Sequence, residues 1–175
     1  ILEMKSDSKY KIEFAGLKIG SHQFNFNADK KFFDRFNFSD FNDVSVNIDI
    51  DLTKKSTLLE LEFVLKGVVN LNCDLTNEPF DFQIKHEASL VVKFGQEYND
   101  EDDEILVLPH GEHKLYVDQY IFELIVLSLP PKRIHPGVED GTLKSEILDI
   151  LEDLKPKENS NLADPRWEQL KSLKK

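Results

Sequence analysis

The clearest regularity in the chain is the alternation of Val44, Val46, Ile48, Ile50 and Leu52 with Ser45, Asn47, Asp49 and Asp51. A period of two sends successive side chains to opposite faces, so this segment is expected to be a half-buried β-strand. The same period governs residues 57–94. Leu59, Leu61, Phe63 and Leu65 share one parity before Gly67, and Phe80, Phe82 and Ile84 share one after the stretch Cys73-Asp74-Leu75-Thr76-Asn77-Glu78-Pro79. Proline donates no ladder hydrogen bond and restricts the residue before it, so the chain is expected to reverse there. Two or three long antiparallel strands result, with the turn at a sheet edge within reach of a partner.

Around this centre the pattern changes several times. Ile12, Phe14 and Leu17, followed by Gly20-Ser21 and then Phe24 and Phe26, read as a β-hairpin. Phe32, Phe33 and Phe36 switch to helical spacing behind a capping Asp29 or Asn27. Ile105 to Leu108 gives a short strand ended by Pro109. A helix from Gln119 to about Leu129 is expected, capped by Asp118, buried because it is apolar nearly all round, and stopped by Pro130-Pro131. Leu143, Ile147, Ile150, Leu151 and Leu154 form the seam of a further helix, residues 155–163 have the composition of a linker, and Asp164-Pro165 starts a last helix with Trp167, Leu170 and Leu173 on one face. The expected class is α+β: an antiparallel, strongly twisted or barrel-like sheet with short helices, plus C-terminal helices. One domain is expected over residues 4–154, then the linker 155–163 and a basic amphipathic helix over 164–175. Met4 suggests the natural start, with Ile1 to Glu3 as additions ahead of it.

Composition narrows the function classes. With 13 Phe against one Trp and one Met, aromatic packing is expected to dominate the interior. No apolar run approaches the ~20 residues that cross a bilayer. The single cysteine forms no internal disulfide, and a reducing cytoplasm is the expected compartment. A net charge of -11 argues against a general binder of phosphate backbones. The charge is uneven, however. Glu97 to Glu104 is an acidic run, expected to be a solvated loop or a dock for a basic partner, whereas the tail gathers Arg166, Lys171, Lys174 and Lys175.

Candidate chemistry is sparse. Cys73 stands at a strand end, but a metal would want a second sulfur and Thr76 occupies the C-x-x-C position, so a structural, half-buried thiol is the better reading. His110 and His113 flank a carboxylate in a glycine-containing loop without further ligands, and read as polar surface. His135, beside Lys132-Arg133, either orients a phosphate or fixes the turn around Pro136. No nucleotide loop, nucleophile motif or metal quartet is present, so no catalytic residue, metal or cofactor is assigned. The Trp167, Leu170 and Leu173 stripe either packs back on the domain or enters a groove on another molecule.

Taken in order, Ile12-Glu-Phe-Ala-Gly-Leu-Lys-Ile-Gly20, Gly67-Val-Val-Asn-Leu-Asn-Cys73-Asp74, Glu78-Pro-Phe80, and Val92-Lys-Phe94 before the acidic run form a recognisable series. It continues through Leu129-Pro130, His135-Pro136 and the closing Asp164-Pro165-Arg166-Trp167 to Leu170-Lys171. The series resembles the YceD family, the large ribosomal RNA subunit accumulation proteins, over nearly the whole chain. Of the cysteines common in that family only Cys73 is matched, since Thr76 and the Leu143 region carry none. The resemblance implies a cytoplasmic, non-catalytic factor needed for accumulation of 23S ribosomal RNA in large-subunit assembly. Its expected partner is a large-subunit rRNA precursor or a ribosomal protein, with no membrane and no small-molecule substrate. Lys132, Arg133, His135, Arg166, Trp167, Leu170, Lys171 and Lys174 are the candidate contacts, and Cys73 and Asp74 form the candidate turn. The alternative is an acidic, protein-only adaptor or chaperone for a basic ribosomal protein.

Overall fold

The computed structural model describes residues 9–102 and 104–154. Its frame is a six-stranded sheet built from β2 (Gly20–Asp29), β3 (Asp43–Lys54), β4 (Leu58–Asn72), β5 (Pro79–Gly95), β6 (Asn99–Asp102) and β7 (Ile105–Pro109), in the order β2-β3-β4-β5-β7-β6. The alternating segment is β3, with Val44, Val46, Ile48, Ile50 and Leu52 buried and the polar residues between Val44 and Ile50 exposed. It lies between β2 and β4, pairing Ile50 with Phe24 on one side and Phe63 on the other. Strands β4 and β5 form the expected long hairpin around residues 73–78, closing with Asn72 opposite Pro79. The missing N–H of proline thus falls at the last pair of the ladder, where it costs least. The hairpin strands are interior to the sheet, so the turn projects from its end, not from a lateral edge as the sequence suggested.

Two features of the expected sheet are corrected. It is mixed rather than antiparallel, because β7 runs parallel to β5, and it is open rather than barrel-like, because among the described residues β2 and β6 end it without pairing with each other. Both follow from one contrast in polarity. Asn99–Asp102 is exposed at every position and cannot be buried, so it takes the outer edge; the apolar Ile105–Leu108 folds back into the slot beside β5 and so runs in the direction of β5. A four-residue acidic edge offers nothing for the ten-residue β2 to close against. The same strand corrects the expectation of a structureless acidic loop.

The expected N-terminal hairpin is also replaced. Here β1 (Lys11–Ile12) pairs with β8 (Leu115–Tyr116) in a separate two-stranded sheet, which ties the start of the chain to the segment before α2. Helix α1 (Lys30–Asp34) forms as expected, with the Asp29 carboxylate accepting from the Phe32 amide at 3.0 Å. Its phenylalanines start an aromatic cluster on the sheet: Phe33 meets Phe32, Phe38, Phe41 and Phe122, and Phe36 stacks on Phe122 at 4.3 Å. Helix α2 spans Asp118–Leu127, but Asp118 is not its cap. That carboxylate is buried and turned toward the Arg35 guanidinium, 3.8 Å away, which itself lies over the rings of Tyr10 and Phe32. A buried charge needs a partner more than a helix end needs a cap. Ile121 and Ile125 are buried while Leu127 is 75% exposed, so α2 covers the core along one side only. After α3 (Pro136–Glu139), helix α4 (Glu146–Asp153) contains Ile147, Ile150 and Leu151 of the expected seam, while Leu143 precedes it, its amide donating to the Gly137 carbonyl, and Leu154 caps its end; Ile147, Ile150, Leu151 and Leu154 are exposed among the described residues. No helix among those residues is long and apolar enough to cross a membrane.

Candidate functional site

The β4–β5 turn owes its shape to Asn77, which adopts φ 59, a left-handed conformation that asparagine tolerates. The Asn77 amide donates to the Cys73 carbonyl at 2.8 Å and the Cys73 amide to the Glu78 carbonyl at 2.9 Å, closing the loop on itself. The turn is then fastened to the linker after α2. The Asp74 amide donates to the Arg133 carbonyl at 2.7 Å, and the Arg133 amide donates to the Asp74 carboxylate at 2.7 Å. Two residues after Arg133 and one before Asp74, the His135 amide donates to Cys73 Sγ at 3.3 Å.

Cys73 is buried at 2% exposure, more deeply than the half-buried thiol expected. Burial pushes its thiol up, but the Thr76 hydroxyl and the amides of His135, Leu75 and Thr76 outweigh it and hold the group below its ordinary value. Among the described residues no three His, Cys, Asp or Glu side chains gather as metal ligands. His110 and His113 are exposed in the turn after β7. Because serine keeps an acceptor where those amides point, Cys73→Ser is expected to remain folded, losing less than about 2 kcal/mol in a denaturant titration.

Of the candidate contacts, Lys132, Arg133 and His135 fall together beside the turn. Lys132 is exposed, whereas the Arg133 guanidinium lies 3.5 Å from the Asp40 carboxylate. His135 Nδ1 accepts from the Gly137 amide at 2.9 Å and its ring packs edge-on against Phe80, so this histidine caps α3 and fixes the turn. A polar recess of about 460 Å³ opens here, with Asp40, Asn42, Asp74, Asn77 and Arg133 on its walls. Asp40 was not singled out from the sequence, and no local signal marks it, since its partner is brought in by the fold. The linker 155–163 and Arg166, Trp167, Leu170, Lys171 and Lys174 lie outside the described residues.

The acidic run occupies a second place, beside α2. Tyr98 donates to the Asp100 carboxylate at 3.1 Å. Burial, then the hydrogen bond to Asp100 and the charges of Asp100 and Glu123, push its phenol up to about 12. Tyr120 is pushed up as well, first by burial and then by Tyr98, Asp100 and Glu123. Neither tyrosine was anticipated, although Tyr98 is the one aromatic inside the acidic run.

These elements define an α+β protein on an open mixed sheet, with a clamped turn at one end and an acid-lined cleft beside its longer helix. The chain belongs to the family described as large ribosomal RNA subunit accumulation protein YceD, which it matches over residues 61–174. The match takes in β5, the clamped turn, the acidic edge and everything that follows to the tail. No curated protein and no solved structure matches the chain. The family name connects the protein with accumulation of large-subunit ribosomal RNA.

Proposed function

We propose that the protein is a non-catalytic assembly factor that supports 23S rRNA accumulation and large-subunit biogenesis by binding pre-ribosomal RNA or protein. The observation that carries this reading is the family match across residues 61–174. The clamp adds a physical basis: Lys132 and Arg133 are presented on backbone held by two short hydrogen bonds, so little ordering is lost when a partner binds. The cationic tail with Trp167, Leu170, Lys171 and Lys174 supplies a second contact, while the net charge of -11 discourages indiscriminate RNA binding.

The test is capture with the tagged full chain from a lysate of cells assembling ribosomes. Large-subunit precursor RNA is expected to be enriched, with recovery reduced several-fold by Lys132→Glu combined with Arg133→Glu. Recovery of neither precursor RNA nor large-subunit proteins would overturn the reading. The acid-lined cleft favours one second reading, a protein-only adaptor for a basic ribosomal protein. Salt-sensitive retention of such a protein after ribonuclease treatment would select it.

A further inference from the structure

A groove of about 550 Å³ runs between α2 and the β5–β6 side of the sheet. Phe63, Leu90, Leu124 and Leu127 contribute its apolar lining, and Tyr98 and Tyr120 stand within it. Glu87, Asp100, Asp102, Glu104 and Glu123 line it as well, and among the described residues no lysine or arginine does. Among the described residues Lys85 approaches Glu87, at 4.0 Å, and no cation pairs with the other four carboxylates. The groove therefore presents an apolar strip and a concentrated negative potential, with Leu127 left 75% exposed beside them.

Such a surface repels a phosphate backbone and suits a segment that carries an apolar stripe with cations interleaved along it. The chain carries one. Residues 164–175 place Trp167, Leu170 and Leu173 at helical spacing, flanked by Arg166, Lys171, Lys174 and Lys175. Reach is adequate. Only the bent link 128–132 separates Leu127 in the groove from Arg133, which shares the polar recess with Ile147 of α4. The stretch 155–163 after α4 spans about 30 Å when extended.

We propose that this groove receives residues 164–175 of the same chain, with Trp167 on the apolar strip and the lysines against the carboxylates. The seated tail is an internal latch. Its cations are then matched by the protein's own carboxylates, and a polyanion gains the tail only by displacing them, which lowers its apparent affinity by the fraction of molecules in which the tail is free. The latch goes beyond the assembly reading and stands without it.

Trp167 is the only tryptophan, so its fluorescence in the full chain reports the latch directly. At low salt its emission is expected to be blue-shifted and several-fold less quenched by acrylamide than that of the free peptide 155–175. Glu104→Lys with Glu123→Lys, and separately Leu127→Asp, are exposed substitutions expected to return the quenching close to that of the peptide. Glu62→Lys, on the opposite face of β4, is expected to leave it unchanged. Quenching equal to the free peptide in the unaltered chain overturns the proposal. So does shielding that ignores both groove variants, which places Trp167 on another surface such as the apolar side of α4. Shielding that grows with protein concentration assigns the groove to the tail of a second copy and overturns the internal latch.

Discussion

Phe33→Ala is expected to destabilise the protein by about 3–5 kcal/mol and to lower its Tm by about 10 °C, read by thermal or denaturant unfolding followed by circular dichroism. Phe33 is 1% exposed and touches four other aromatic rings from three parts of the chain: α1, the segment before β3, and α2. Removing it leaves a cavity that those rings cannot all collapse into, because Phe36 and Phe122 are already stacked and Phe41 is buried. Phe36→Ala at the half-buried rim of the same cluster is expected to cost clearly less. Equal losses at the two positions would show that the cluster relaxes freely and that Phe33 is not its centre.

Gly67→Ala is the second large effect, about 3 kcal/mol by the same unfolding measurement, and its cause is the reverse of a cavity. An added Cβ at Gly67 would lie 2.2 Å from the Ser45 carbonyl oxygen and 2.5 Å from Val46 Cα. Those are backbone atoms of β3, and they cannot move aside without breaking the β3–β4 ladder in which Val46 faces Gly67. Gly16→Ala, where nothing lies within 4 Å, is the matched control and is expected to be close to neutral. A neutral Gly67→Ala would mean that the two strands separate more easily than their register implies.

The contrast between these glycines shows where sequence reasoning reached and where it stopped. Strands β3, β4 and β5 were legible because one face of each is buried, and burial on one face writes a period of two. The Cys73–Pro79 reversal was legible because proline and asparagine constrain the backbone locally, and Asp29 was legible as a cap for the same reason. What failed was decided by distant partners. Lys11–Ile12 pairs with Leu115–Tyr116 instead of its neighbour, Asp118 leaves its helix end for Arg35, and β7 enters the sheet beside β5. The candidate site divides in the same way. Lys132, Arg133 and His135 were found as a basic, breaker-rich segment, but their fastening to Cys73 and Asp74 arises only when the intervening strands and helix are in place. Tyr98 and Tyr120 are ordinary residues until the fold sets them beside the same carboxylates.

The outer strand β6 has one more consequence, for the behaviour of many copies together. An open sheet ends in unpaired backbone donors and acceptors, and these invite the edge of a second molecule to continue the ladder. At β6 such an invitation is refused. Asn99, Asp100, Glu101 and Asp102 are all exposed there, so two copies meeting along this edge would bring carboxylates of like sign into register. The charge that keeps β6 from the interior thereby also guards that margin of the sheet against fibre-like growth.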